Sequence, residues 1–146
     1  MFFGTYRHNI DAKGRVSIPA KLRNQCGDKV YVMKGHDGCL DVYSESGWEE
    51  EYATLLKLSK KKKKSRAYRR IVTAGISDLV FDKMGRINLS SDLRNLAKLS
   101  KECVINGAVD HIEIWNPDTW DAYYNEYIEH FDELSEDLED GDEDED

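Results

Sequence analysis

Two five-residue stretches carry the plainest chemistry in the chain: Asp11-Ala-Lys13-Gly14-Arg15 and Asp82-Lys83-Met84-Gly85-Arg86. An aspartate opening a tight turn accepts backbone N–H bonds through its carboxylate, and a glycine three residues on tolerates the left-handed conformation that closes the turn. Asp11, Gly14, Asp82 and Gly85 are therefore the turn-forming residues. The arginine that follows begins an extended segment, and a guanidinium there can donate two parallel hydrogen bonds to O6 and N7 of guanine in a major groove. Arg15 and Arg86 are therefore the leading candidates to meet a partner that offers paired acceptors. Lys13, at the tip of the first turn, and Lys83, in the second, are placed to meet phosphates. A competing role for each arginine is an ion pair with Asp11 or Asp82. The two roles are compatible, since a carboxylate that orients a guanidinium also preorganises it. Met84 stands where the first turn has Lys13, so the turns are chemically unequal, and the first is the better equipped.

These turns belong to a longer internal repeat. Asp11–Ile18 recurs as Asp82–Leu89, 71 residues later, and Leu22-Arg23-Asn24 recurs as Leu93-Arg94-Asn95 at the same offset. After one inserted residue the match resumes at an offset of 72. Gly35 then aligns with Gly107, Leu40-Asp-Val-Tyr43 with Ile112-Glu-Ile-Trp115, and Trp48 with Trp120. Each copy reads locally as a β-hairpin. Val16 and Ile18, or Ile87 and Leu89, alternate with Arg15 and Ser17, or Arg86 and Asn88, so the arginines stand on the polar face. A short helix follows, with Pro19 at a first helical position in one copy and Ser90 or Ser91 as cap in the other. Two more strands are expected near 29–33 and 39–43, then 102–106 and 111–115. Each copy ends in a helix with an aromatic stripe, the second capped by Asn116 with Pro117 at its first position. The division is a first module over 5–50, a helical basic linker over 51–75, a second module over 76–131, and a disordered acidic tail over 132–146.

Charge is unevenly distributed. The net −8 conceals a tail that holds 11 of the 29 acidic residues and no base. Without it the body has 21 basic residues against 18 acidic ones, and Lys57–Arg70 alone contains nine basic residues and no acid. A basic body with a concentrated basic tract fits a nucleic-acid partner. Within the tract, Arg66, Arg69 and Arg70 share one face of a helix. Lys21 and Arg23 read as solvated helix charges. No apolar run approaches the roughly 18–20 residues of a membrane span, and polar residues begin at Thr5, which leads us to expect no membrane partner and a cytoplasmic protein. Cys26, Cys39 and Cys103 form no Cys-x-x-Cys pair, and His8, His36, His111 and His130 show no ligand spacing with them, so no metal and no cofactor are expected. There is no phosphate loop or nucleophile elbow, and therefore no catalytic residue to nominate, and no small-molecule ligand is evident.

On these residues the chain resembles the MraZ family, a tandem version of the SpoVT-AbrB DNA-binding domain. The resemblance rests on Met1-Phe2 with Gly4, Asp11-x-Lys13-Gly14-Arg15, Ile18-Pro19, Leu22-Arg23 and Arg66-Ala67. It continues through Ala74-Gly75, Asp82-x-x-Gly85-Arg86-Ile87, Leu93-Arg94 and Ile112-Glu-Ile-Trp115, covering Met1 to about Phe131. It implies an α+β, mainly β fold: a double-split β-barrel of two pseudo-symmetric halves with flanking helices, assembled into a ring-shaped homo-oligomer. It further implies a transcription regulator, associated with the nucleoid, that binds double-stranded promoter DNA. Its site would be short tandem repeats upstream of the cell-division and cell-wall gene cluster. Arg15 carries over as a DNA-binding residue from the family's signature turn, and Arg86 follows as one through the internal repeat. Family members usually have Arg where this chain has Phe3 and Pro where it has Ser90; Arg7 becomes the candidate for a contact near the N-terminus. The rival reading is a ring-forming interaction scaffold without specific DNA recognition.

Overall fold

In the computed structural model, which describes residues 1–138, both copies of the repeat lay down the same series of elements. The first copy forms β1 (Thr5–Asn9), β2 (Arg15–Ser17), α1 (Ala20–Arg23), β3 (Lys29–Lys34), β4 (Leu40–Ser44) and α2 (Glu45–Leu56). A linking helix, α3 (Lys63–Ala74), leads to β5 (Ser77–Val80), β6 (Arg86–Asn88), α4 (Ser91–Leu96), β7 (Glu102–Gly107), β8 (Ile112–Trp115) and α5 (Pro117–Ile128). Helix starts follow side-chain chemistry. Ser44 accepts from the Gly47 amide, Ser90 from Leu93 and Asn116 from Thr119, each satisfying an N–H that the helix leaves open. Pro19 is the cap of α1 rather than its first helical residue: its ψ of 137° is extended, and the helix begins at Ala20.

β3 pairs with β4 and β7 with β8 inside each copy, but the two strands flanking each signature turn do not form the expected hairpin. Six form one antiparallel sheet in the order β1-β7-β8-β4-β3-β5, and β2 pairs with β6 in a separate two-stranded ribbon. β1 lies on β7 of the other copy, from Thr5 against Asn106 to Asn9 against Glu102, and β5 lies reciprocally on β3. Along its own turn, β1 meets β2 only through the single bridge Ile10–Val16. Burial goes with this pairing: Val16, Ile18, Ile87 and Leu89 are each at most 1% exposed, and the ribbon drawn from both copies brings all four into one core. The sheet ends at β1 and β5, so among the described residues its pairing does not run round into a closed barrel.

That ribbon and one face of the six-stranded sheet enclose the main core, which joins Val16, Ile18, Ile87 and Leu89 to Val30, Val32, Leu40, Val42, Ile105, Ile112 and Ile114. Each such side chain contributes about 1.5–3 kcal/mol relative to its exposure in water, and both copies supply them. On the opposite face a smaller cluster, Cys39, Val104 and Trp115, is covered by Trp120 and Tyr123 of α5. Only part of each aromatic stripe is used, since Tyr52, Leu56, Tyr124 and Tyr127 stay exposed.

The acidic end differs from expectation over its first residues. Phe131–Asp137 form helix α6, with Asp132 and Glu133 in the first turn, where the helix dipole favours acids, and Glu133 paired with His130 at 3.0 Å. The rest of the expected disordered tail, 139–146, lies outside the described residues.

Candidate nucleic-acid interface

Both signature turns are built alike. The Gly14 amide donates to the Asp11 carbonyl at 2.9 Å, and the Asp11 amide to the Arg15 carbonyl at 3.0 Å. One carboxylate oxygen of Asp11 accepts from the amides of Lys13 (3.0 Å) and Arg15 (2.9 Å), while the other accepts from Arg15 Nε at 2.7 Å. In the second turn Asp82 accepts from the amides of Met84 and Arg86, both at 2.9 Å, and from Arg86 Nε at 2.8 Å. Gly14 and Gly85 adopt φ of +87° and +77°, the left-handed region that the turn demands and glycine takes at least cost. The backbone N–H of each following arginine, more than its guanidinium, holds Asp11 and Asp82 below the usual carboxylate range.

Each arginine is thus tied at Nε alone. Among the described residues the Nη atoms of Arg15 and Arg86 make no hydrogen bond, and the two side chains are 33% and 23% exposed. The end of a guanidinium, with its two parallel donors, is the edge that recognises a two-acceptor partner. The pairing of β2 with β6 then gathers these groups. Arg15 is opposite Asn88, Val16 opposite Ile87, and Ser17 opposite Arg86. Directly opposed residues share a face, so Arg15, Ser17, Arg86 and Asn88 occupy the outer face of the ribbon and Val16 and Ile87 its buried face. Arg15 and Arg86 are diagonal neighbours across that face, at a backbone separation of about 7–8 Å. Because the ribbon is antiparallel, the turn bearing exposed Lys13 and the turn bearing exposed Lys83 flank it at opposite ends.

Two further arginines lock this arrangement, and the sequence pattern by itself places one of them, Arg23, in solvent. Arg23 donates through Nη1 to the Ile18 carbonyl and packs against Gly85 of the other copy's turn. Arg94 donates through Nε to the Leu89 carbonyl at 3.1 Å and packs against Gly14. The Leu89 amide also donates to the Gly14 carbonyl (2.9 Å) and the Ile18 amide to the Gly85 carbonyl (3.1 Å). Each turn is therefore braced by the opposite copy. The signal was in the sequence: Arg23 and Arg94 recur at the repeat's own offset.

Arg7 is not brought to the ribbon. It lies on β1, and its Nη2 pairs with Asp121 of α5 at 2.6 Å, both side chains about half exposed. The basic tract forms a separate surface, where Lys60, Arg66, Arg69 and Arg70 line one shallow hollow. There Arg66 donates to the Lys60 and Lys61 carbonyls, folding the lysine run back on the start of α3.

The fold and this surface define a class: a duplicated, interlaced α+β protein that displays paired arginines on a ribbon shared by both copies. The family model described as "MraZ protein, putative antitoxin-like" matches residues 1–71 and 73–141. A protein of Lactobacillus delbrueckii subsp. bulgaricus, named transcriptional regulator MraZ, is 46% identical over 140 residues, which is 96% of this chain and 98% of the relative. Proteins of the same name from Lactobacillus helveticus and Ligilactobacillus salivarius are both 44% identical, covering 96% and 94% of this chain and 98% and 96% of their own lengths. The chain belongs to the MraZ family.

Proposed function

We propose that this chain is a sequence-specific, DNA-binding transcription regulator, acting as a repressor on double-stranded promoter DNA in the cytoplasm at the nucleoid. The observation that carries the reading is the β2–β6 ribbon, whose outer face holds Arg15 and Arg86, aimed by Asp11 and Asp82, with guanidinium ends that have no partner among the described residues. A two-stranded ribbon is narrow enough for a major groove, where an arginine pairs with guanine. Lys13 and Lys83, flanking the ribbon, are suited to the phosphates on either side. The names of the relatives point the same way, to regulation rather than catalysis.

One arginine–guanine pair discriminates by about 1–3 kcal/mol, too little to pick a site in a genome. Specificity then comes from repetition. Protomers joined in a ring would set several ribbons in register with short tandem repeats, such as those upstream of the cell-division and cell-wall genes, and each contact after the first becomes intramolecular. On this reading the interlaced copies are the two halves of a double-split barrel, and the units 5–50 and 76–131 are repeats of sequence that share one core.

Arg15→Ala is expected to abolish specific binding while leaving fold and assembly intact. Gel-shift titration against promoter and scrambled fragments, beside circular dichroism and a size measurement, checks it. Unchanged promoter preference overturns the reading and leaves an interaction scaffold.

A further inference from the structure

The sheet face opposite the main core carries a second cluster of chemistry that the ribbon does not use. Across β7, β8 and β4 the register places Asn106 against Glu113 and Glu113 against Asp41, so three polar side chains run side by side over the middle of the sheet. Cys39 stands two residues before Asp41, just ahead of β4. Asp41, Asn106 and Glu113 line a cavity of about 600 Å³ walled by aromatic side chains.

Two independent observations meet there. First, the Sγ of Cys39 and one carboxylate oxygen each of Asp41 and Glu113 lie within 4.8 Å of one another. Around a tetrahedral ion with bonds of about 2.0–2.3 Å, donors sit about 3.3–3.8 Å apart, so a small contraction closes the set. Second, Asn106 is 5% exposed, yet its carboxamide nitrogen and oxygen have no partner among the described residues. Burying such a group unpaired costs about 1–3 kcal/mol, which marks a place for something that pairs with it.

The surroundings suit a cation. Asp41, Asp110 and Glu113 gather around the His111 ring, at 3.4, 2.7 and 3.0 Å, so negative charge exceeds what one imidazole can neutralise. Trp115 Nε1 donates to Glu113 at 3.0 Å and His111 Nε2 bonds the other oxygen, giving the carboxylate the fixed orientation that outer partners give to metal ligands.

We propose that Cys39, Asp41 and Glu113, with Asn106 at the fourth position, form a binding site for a divalent cation of the borderline-soft zinc class. Thiolate with carboxylate donors selects that class over magnesium or calcium. Binding forms the sulfur–metal bond as the Cys39 S–H bond breaks, and the proton leaves to solvent. The site joins the two copies at the centre of the sheet, since Cys39 and Asp41 come from one and Asn106 and Glu113 from the other. It is separate from the DNA-reading surface, and the proposal does not rest on that function.

The test is titration of the full chain, without an affinity tag, with Co(II) followed by competition with Zn(II). The expected result is one equivalent bound with a thiolate-to-cobalt charge-transfer absorption, displaced by zinc. Cys39→Ser and Glu113→Gln should each abolish that signal, Asn106→Ala should weaken binding about tenfold, and Cys26→Ser should change nothing. Circular dichroism shows whether each variant is folded; Glu113→Gln keeps the size and hydrogen-bonding shape of the native side chain, so it remains informative if Cys39→Ser fails to fold. No binding, binding without the charge-transfer band, or binding that a folded Cys39→Ser or Glu113→Gln chain retains in full overturns the assignment.

Discussion

Asp11 does two jobs with one carboxylate, and they can be separated. One oxygen closes the turn through two backbone amides; the other holds Arg15 Nε. Asp11→Asn keeps the shape and loses the charge on both contacts. It should leave the chain folded and weaken specific DNA binding, because Arg15 is no longer aimed; equal affinity in the gel-shift would reduce Asp11 to a turn former. The carboxyl groups of Asp11 and Asp82 are held below their usual value of 3.8 in the folded chain. A depressed folded-state pKa stabilises above the unfolded value and is lost as pH falls through the folded one. Both turns should therefore persist at pH 5 and open only below about pH 4, a course that carboxyl-carbon NMR titration follows residue by residue. Gly14→Ala is harsher. A side chain would be strained at φ +87° by about 1–2 kcal/mol, and its Cβ would stand 2.5 Å from the Leu89 carbonyl oxygen. Denaturant unfolding should show a loss of at least that size. These turns were legible in the sequence because Asp, Gly and Arg at fixed spacing each state a local requirement.

Pairing between elements was not legible in the same way. The alternation of Val16 and Ile18 with Arg15 and Ser17 says which side is buried, and the structure agrees, yet alternation is silent on which strand lies alongside. A hairpin was the local solution; the observed one runs β2 against β6 across the repeat. Arg23 shows the same limit. As one charged residue on a four-residue helix it reads as solvated, and only the partner turn, distant in sequence, reveals its role. Arg23→Ala should disturb Met84–Arg86 rather than its own turn at Asp11–Arg15, and Arg94→Ala the reverse. Amide hydrogen exchange at the two turns reads this directly, and local protection loss confined to the mutated copy's own turn would contradict the cross-brace. The basic tract, by contrast, acts through charge alone. Replacing Lys60–Lys64 with glutamine should lower affinity for promoter and scrambled DNA alike. It should also flatten the dependence of log affinity on log salt by about 0.9 for each phosphate no longer neutralised, leaving promoter preference in place.

At the scale of the whole molecule, the duplication has a physical consequence that neither copy shows alone. The repeat invites a picture of two beads on a string, with Lys57–Arg70 as the string. Instead β1 completes the sheet beside β7, β5 completes it beside β3, and the ribbon takes one strand from each copy. A chain cut after residue 75 would keep β1, β2, β3 and β4 but lose β5, β6, β7 and β8, which supply every strand pairing it possesses except β3 with β4 and the single Ile10–Val16 bridge. Val16, Ile18, Val32, Leu40 and Val42, all at most 1% exposed in the full chain, would face water. At about 1.5–3 kcal/mol for each such side chain, the loss is comparable to the 5–15 kcal/mol by which a domain is stable at all. Residues 1–75 expressed alone should therefore give no folded monomer. Mixed with residues 76–138, they should recover a cooperative unfolding transition and the near-ultraviolet signal of the packed Trp115–Trp120 pair. Alone, the half can regain order only by pairing with a second copy of itself, because the repeat makes each half a near-match for the other. Sedimentation of 1–75 then separates the alternatives: an unfolded chain or a folded dimer is consistent with the interlaced core, whereas a folded monomer would mean that each copy is a domain in its own right.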